Sequence, residues 1–370
     1  MKGLKILQIM SRTNCDSGGG IQALELSRAL LKRGHAVWFA AKPRGSCRSR
    51  CEEMGIPFFP LPMKGYLDFT SIKRLRELIE REGIQVIHAH KGLAHGLALS
   101  AIVGMPHPPV VVTNRGVSFP LSFWNKWKYL IPWTKGVVVV ADSVRAVLEA
   151  SGIPREKIRV IYGGVDLKRF SPIDREEACK RLGLDPTLDY VAMVAQFRPW
   201  KGHHILVEAM DKLAEVFPRL TVLLAGKTYG SAYRALREEI EKRGLKKRFI
   251  FLGYRRDVEL VMAAAHFLVA PSLGGEGLPG TFREAFALCR PVISSDVAGA
   301  KEVVIHERTG ILLPPGDPTL LVQAMACLLS NRCLRDRMGK KGRSLVTRLY
   351  AHEHRAFLME TYYKRLLEKA

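Results

Sequence analysis

The sequence is short of acid, of paired cysteines and of long apolar runs, and each shortage removes a class of protein. Against 58 Lys+Arg stand only 35 Asp+Glu, a formal net charge of +23. So basic a chain needs an anionic partner: nucleic acid, an anionic membrane surface or a phosphorylated substrate. The excess leans toward the first half, where residues 1–170 hold 26 Lys+Arg against 12 Asp+Glu. The seven cysteines, at 15, 47, 51, 179, 289, 327 and 333, include no C-x-x-C pair. Neither a disulfide framework nor a zinc site is therefore expected, and reduced cytosol is the expected compartment. No run reaches the roughly 18 apolar residues that cross a bilayer; the longest candidate, residues 96–112, is broken by Pro106, His107, Pro108 and Pro109. The apolar stretch at 4–10 is too short for a signal core. Any membrane contact is expected to be peripheral. Asp-x-Asp is also missing, so no carboxylate pair for a divalent ion is indicated.

What is present points to α/β architecture. At 370 residues and 47% hydrophobic composition, two domains are expected rather than one. Strand-like and helix-period stretches alternate: strand 4–10, helix 19–32, strand 35–41, helix 47–55, strand 57–62, helix 70–83, strand 85–90, helix 93–103, strand 110–114. Such alternation predicts a parallel, doubly wound sheet whose ligands gather beyond the strand carboxyl ends. Those ends carry glycines 18–20, His88, His90 and Asn114-Arg115-Gly116. The glycines either admit a ligand to a helix N-terminus or form a plain strand-helix connection, since they lack G-x-G-x-x-G. His90 and His95 are acceptor contacts or simply strand-end caps. Residues 118–133 hold Trp124, Trp127 and Trp133 alongside Lys126 and Lys128. A helix of that make-up lies at headgroup level or packs its aromatics on the sheet. A strand at 136–141, an N-cap at Asp142-Ser143 and a strand at 157–162 complete this half.

Residues 163–172 break the rhythm with two glycines and a proline, which places a domain boundary there. The expected division is 1–165 and 166–350, with 351–370 a terminal helix packing back toward the first domain. Alternation resumes with strand 189–197, helix 202–217, strand 220–226, helix 232–244, strand 249–254, helix 257–265 and strand 266–271. That last strand leads into Ser272-Leu-Gly-Gly-Glu-Gly-Leu-Pro-Gly-Thr-Phe-Arg-Glu284. Pro279 and Gly280 forbid a helix through its middle, so Glu276 is expected in a loop and Thr281 at a helix start. Thr281-x-x-Glu284 then reads as a capping box or as part of an anion and sugar site.

Taken in order, several segments resemble the retaining glycosyltransferases of family 4, the group 1 glycosyltransferases. They are Ser17-Gly-Gly-Gly20, Val160-Ile-Tyr-Gly-Gly-Val-Asp166 with Phe170 and Pro172, the R-x-x-K-G of Arg198 to Gly202, and the E-x7-E of Glu276 to Glu284, followed by Gly299, Glu302 and Thr309-Gly310. The resemblance covers essentially the whole chain. It implies the GT-B fold, in which two doubly wound, Rossmann-like domains face each other across a cleft. It also implies a nucleotide-diphosphate sugar as donor, held by the second domain without metal or other cofactor. Arg198 and Lys201 would meet the phosphates, and Glu276 the sugar hydroxyls together with the amides of Gly277 and Leu278. Glu284 would accept from the ribose, amides near Thr281 would meet phosphate, and Gly253 and Tyr254 the base. Gly19 and Gly20 would belong to the N-terminal glycine loop of the donor site.

One position departs from the pattern. Many relatives carry T-x-H-G where this chain has Val112-Thr-Asn-Arg-Gly116, so Arg115 stands in the histidine's place. Arginine is no base at neutral pH, but it grips carboxylates, phosphates and hydroxyls. The expected acceptor is a lipid-linked or lipopolysaccharide-type glycan, met by His90, Asn114, Trp124 and Trp127, with the enzyme cytoplasmic and peripheral at the inner membrane face. A soluble small-molecule acceptor is the second reading, and a sugar-nucleotide epimerase of related fold a third. A nucleic-acid partner would leave the glycine loops unused.

Overall fold

The structure, a computed structural model, describes residues 3–369 apart from Ser17, Ser118, Gly275 and Glu276, and excludes the side chains of Phe123, Trp124 and Ala298. The expectations for Glu276, for Ser17 and for the Trp124 ring therefore lie outside the described residues. The chain forms two compact units, Met1–Gly164 with His352–Ala370, and Val165–Ala351.

Unit 1 alternates β1 (Lys5–Met10), α1 (Gly18–Lys32), β2 (Ala36–Ala41), α2 (Ser46–Glu53), β3 (Phe58–Pro60), α3 (Phe69–Glu82), β4 (Val86–His90), α4 (Gly92–Ile102), β5 (Val110–Arg115), α5 (Phe123–Leu130), β6 (Thr134–Val139), α6 (Asp142–Ala150) and β7 (Ile158–Val160). The strands pair in parallel in the order β3-β2-β1-β4-β5-β6-β7. Every residue of β4 is buried, as a strand covered on both faces requires. Asp68 caps α3 by accepting from the Ser71 amide, and Gly83 ends it in the left-handed conformation at φ 64°. Succession outward from β1 reverses between β1 and β4, which opens a crevice at the carboxyl edge there.

Unit 2 comprises α7 (Arg175–Leu182), β8 (Asp189–Val194), α8 (His203–Leu213), β9 (Leu220–Ala225), α9 (Ser231–Lys242), β10 (Phe249–Gly253), α10 (Val258–Ala264), β11 (Leu268–Ala270), α11 (Gly280–Ala287), β12 (Val292–Ser295), β13 (Gly310–Leu313), α12 (Pro318–Ser330) and α13 (Arg332–Leu349). Its parallel sheet runs β10-β9-β8-β11-β12-β13, with the reversal between β8 and β11. The core on one face joins Val191, Leu206, Met210, Leu224, Phe267 and Met325.

The last helix, α14 (His352–Leu367), belongs to unit 1. Tyr363 packs into the unit 1 core with Leu26, Val86 and Met359, and its hydroxyl lies 2.6 Å from His88 Nδ1. Arg33 Nε donates to Glu360 Oε2 at 2.6 Å, and Arg355 Nη1 to the carbonyl of Gln22 at 2.7 Å.

Local expectations change in four places. Cys15 and Cys47 form a disulfide with Cα atoms 4.9 Å apart, against the expectation of unpaired thiols. The pairing follows from α2 folding back on the loop after β1: the Cys47 amide donates to Thr13 at 3.3 Å, the Ser46 amide to Asn14 Oδ1 at 3.1 Å and Ser46 Oγ to Asp16 at 2.7 Å. Nothing in cysteine spacing announces that. The helix expected at 19–32 begins one residue earlier, so that Gly18–Gly20 form the first turn of α1. Asp142 is the first residue of α6, with Ala141 in the cap position. Finally α11 begins at Gly280 behind Pro279, with no side-chain cap, so Thr281 is inside the helix and the capping box does not form.

Candidate active site

In unit 2 the R-x-x-K-G turn and the head of the 272–284 segment meet at the β8–β11 reversal. Phe197 is buried against His203 and Tyr233, with ring centroids 4.8 and 5.2 Å away, which fixes the chain as it leaves β8. Arg198 follows, exposed, with its guanidinium carbon 5.8 Å from the Trp200 ring centre. A single turn of 3-10 helix over Pro199–Lys201 then brings Lys201 to the start of α8. Gly202 has φ 73°, and a Cβ there would collide with the carbonyl oxygen of Pro271. Only glycine fits, on both counts. From the other strand, the Leu273 amide donates to the Trp200 carbonyl at 2.7 Å. The R-x-x-K-G turn and the head of the 272–284 segment are thus one packed structure.

Glycines press the rest of that segment into place. A Cβ on Gly299 would collide with the carbonyl of Gly277, so the turn Ala298–Glu302 lies directly against Gly277 and Leu278. The open amides of the first turn of α11 sit at the same carboxyl edge, where the helix dipole favours an anion. Thr281 and Glu284 are half-buried, one turn apart on α11. Burial raises the Glu284 pKa, Arg283 and Arg169 pull it down, and Glu259 raises it again, the net shift being upward. Arg169 itself is bound to Glu259, Nη2 to Oε2 at 2.7 Å. At the next strand ends, Gly253 closes β10 at φ 69°, and Tyr254 stands exposed with its ring 5.7 Å from Lys227 Nζ.

Arg283 is a neighbour that sequence reading missed. It is 3% exposed, lies 5.9 Å from the Tyr350 ring centre, and its Nε and Nη1 have no hydrogen-bond partner among the described residues. Burial holds its pKa down at about 10, with Glu284 and Tyr350 opposing. A charge in a sequence reads as surface by default, and only packing reveals this one.

In unit 1 the predicted residues divide. Gly18 and Gly19 are open, while a Cβ on Gly20 would come within 2.6 Å of Cys15 Cα, so Gly20 is required by packing. Asn114 and Arg115 lie half-buried at the end of β5. His90 is 3% exposed, its Nε2 2.7 Å from Gln8 Oε1 and its ring stacked on His88 at 4.4 Å. Burial, then Arg355 and Lys91, holds its pKa down at about 3. It is a neutral imidazole under the strand end rather than a group offered to an acceptor. His95 is likewise held, Nε2 to Thr134 Oγ1 at 2.9 Å. On α5, Tyr129 and Lys128 face inward, whereas Trp127 is 55% exposed, joined at the surface by Phe119, Leu130 and Trp133. Among the described residues no helix is long and apolar enough to cross a membrane.

Two family models divide the chain between them: Glycosyltransferase Family 4 matches residues 17–169, and Glycosyl transferases group 1 matches residues 174–345. A lipopolysaccharide core biosynthesis mannosyltransferase of Rhizobium meliloti is 30% identical over 250 residues, covering 66% of this chain and 69% of its own. The chain belongs to the group 1, family 4 glycosyltransferases. This family is retaining and uses nucleotide-sugar donors. A phosphatidyl-myo-inositol mannosyltransferase of Mycobacterium leprae is 27% identical over 348 residues, 90% of each chain. The fold agrees: HepE of Anabaena, solved with UDP and glucose, superposes with a TM-score of 0.85 at 20% identity over 98% of this chain and 99% of that one. The transferase's two parallel-sheet units are those of the GT-B fold.

Proposed function

We propose that this transferase moves a sugar from a nucleotide diphosphate in unit 2 to a hydroxyl of an anionic lipid-linked or lipopolysaccharide-type glycan received by unit 1. The observation that carries the donor half is the bond between Leu273 and Trp200, which ties the Arg198–Lys201 turn to the E-x7-E segment at the strand reversal. Arg198 and Lys201 then act on the diphosphate, where charge grows as the glycosidic C–O bond breaks. Amides at the α11 start, near Thr281, meet the same phosphates. Glu276 accepts from the sugar hydroxyls beside the Gly277 and Leu278 amides, Glu284 accepts from the ribose, and Gly253 with Tyr254 borders the base. Gly19 leaves open backbone at the first turn of α1. The acceptor oxygen bonds to the anomeric carbon on the face the phosphate leaves, and its proton passes to a departing phosphate oxygen. The protein's share is positioning and charge stabilisation.

The acceptor half is supported by three features. The first half of the chain is the more basic, both relatives named above carry lipid-bearing acceptors in their names, and Trp127, Leu130 and Trp133 form an exposed apolar set beside Lys126. Asn114 and Arg115 would hold the acceptor's polar head, and Trp127 with Trp124 its membrane side.

The test is release of nucleoside diphosphate from a panel of nucleotide sugars, with and without candidate acceptors. Release that requires acceptor, and is lost in Glu276→Ala without loss of folding, is the expected result. Release with water alone, or full turnover by Glu276→Ala, would contradict it. Salt-sensitive binding to anionic vesicles, weakened in Trp127→Ser, separates a lipid-borne acceptor from a soluble one.

A further inference from the structure

The carboxyl edge of the unit 1 sheet gathers cations at its point of strand reversal. His90 pairs with Asn114 across the β4–β5 ladder, so the residues that follow, Lys91 and Arg115, leave the sheet side by side. Lys91 has φ 90° and ψ 153°, a conformation that side-chain-bearing residues rarely hold and that is kept where surrounding structure imposes it. It occupies the N-cap position of α4 without capping it by its side chain, so the first amides of that helix begin in the same place.

Lys128 enters from α5. It is only 3% exposed, yet all its partners are neutral: Asn125 Oδ1 at 2.9 Å, the Tyr66 hydroxyl at 3.3 Å and the Gly92 carbonyl at 3.4 Å, with the Tyr66 ring centre 5.2 Å away. Gly92 makes the room, since a Cβ there would come within 3.1 Å of the ammonium. A buried ammonium ordinarily has a counterion. Arg115 is in a similar state: it donates to the Phe119 carbonyl and to the Tyr129 hydroxyl, and its buried Nε has no partner among the described residues.

No acid among the described residues answers these charges. The charged neighbours acting on Lys91, His95 and Tyr129 are Arg12, Lys128 and Arg115, with no carboxylate among them. The acids that follow the flanking strands β1 and β6 are engaged elsewhere, Asp16 with Arg50 at 3.1 Å and Asp142 with Arg145 at 2.8 Å. Tyr66, Lys91 and Asn125 are exposed, so solvent reaches the cluster.

We propose that Lys91, Arg115 and Lys128, with the N-terminus of α4, form a binding site for an oxyanion, a phosphate or carboxylate, carried by the acceptor. The oxyanion supplies the counterion that Lys128 lacks and an acceptor for the idle Arg115 Nε. The last clause of the proposal rests on reading unit 1 as the acceptor half; the anion site itself does not.

The experiment uses the full chain, with saturating nucleoside diphosphate to fill unit 2, and follows thermal unfolding as inorganic phosphate is titrated at constant ionic strength. Phosphate should raise the Tm of the wild type. Lys128→Met and Arg115→Gln should each reduce that response several-fold, whereas Lys128→Arg and Arg198→Gln should keep it. Lys128→Met breaks no ion pair, so without phosphate it should unfold no earlier than wild type. An unchanged response in Lys128→Met and Arg115→Gln, a loss confined to Arg198→Gln, or no response in the wild type would each overturn the site. Transfer is then measured with a phosphorylated acceptor glycan and its phosphatase-treated form. Lys128→Met should raise KM at least tenfold for the first and leave the second unchanged. Loss of the phosphate response with no change in either KM leaves the anion site standing and removes the acceptor from it.

Discussion

The amide of Leu273 donates to the carbonyl of Trp200 at 2.7 Å, and this bond joins two motifs across a sequence separation of 73 residues. Beside it Gly202 touches Pro271 where no side chain would fit. The cation turn and the carboxylate segment therefore share one support. A substitution in either should disturb the other.

Gly202→Ala tests that coupling. It adds a Cβ at φ 73° against the Pro271 carbonyl, which should destabilise the protein by about 1–3 kcal/mol. Nucleotide affinity should fall with it. Gly19→Ala is the contrast: nothing lies within 4 Å of the added Cβ, so stability should change by less than about 0.5 kcal/mol. Urea unfolding with and without nucleoside diphosphate measures both. Equal effects from the two substitutions would refute the shared support.

Arg198 is exposed and lies against the Trp200 ring, so Arg198→Ala should leave unfolding within about 0.5 kcal/mol of wild type. Transfer should nonetheless slow by about 10²–10³ in kcat, the usual effect of removing one group that stabilises transition-state charge. Steady-state kinetics beside a thermal melt checks this. A fall in Tm that matches the fall in activity would make Arg198 structural.

Much of this was legible in the sequence, for identifiable reasons. A strand such as β9 is a nearly continuous apolar run because it is covered on both faces, and Gly83 marks the end of α3 because left-handed backbone suits it best. The spacing of Arg198, Lys201, Glu276 and Glu284 was visible because loops at strand ends carry their chemistry in short stretches. What stayed hidden depends on contacts between distant segments. Lys128 and Arg283 read as surface charges, yet each is buried by residues far from it in sequence. The cap of α11 lies two residues before the Thr281 that looks like one, because Pro279 occupies that position. The short polar helix α7, Arg-Glu-Glu-Ala-Cys-Lys-Arg-Leu, has too few apolar residues to signal itself.

The Cys15–Cys47 disulfide closes a separation of 32 residues, for which loop-closure entropy corresponds to about 3.7 kcal/mol. Cys47→Ser should therefore lower stability by about that much in oxidising buffer and by little in reducing buffer. Denatured protein should titrate five thiols before reduction and seven after. In the native state Cys51, buried with its pKa pushed up to about 12 first by burial and then by Glu52, should react slowly. Seven reactive thiols without reductant would contradict the pairing. The bond also anchors the segment that Gly20 packs on, so reduction should loosen the first turn of α1, read as faster amide exchange at Gly18–Ala23.

Glu284 carries the last prediction, because its role as a hydroxyl acceptor and its burial pull against each other. Its folded pKa lies above the ordinary 4.5, raised first by burial and only partly offset by Arg283 and Arg169. Between the unfolded and the folded value the native state binds more protons than the unfolded chain. The stability this group contributes is therefore present below pH 4.5 and is lost as pH rises through the folded value. Glu284→Gln should remove that loss, leaving the ligand-free protein at pH 8 as stable as wild type or more so. The same change should weaken nucleotide binding about tenfold, since a hydrogen bond to a charged acceptor is worth roughly 1.5–3 kcal/mol. Urea unfolding at pH 5 and pH 8, with nucleoside diphosphate binding at both, separates the two effects. A Glu284→Gln protein that is less stable at pH 8 yet binds nucleotide normally would assign the carboxylate to the fold and remove it from the donor site.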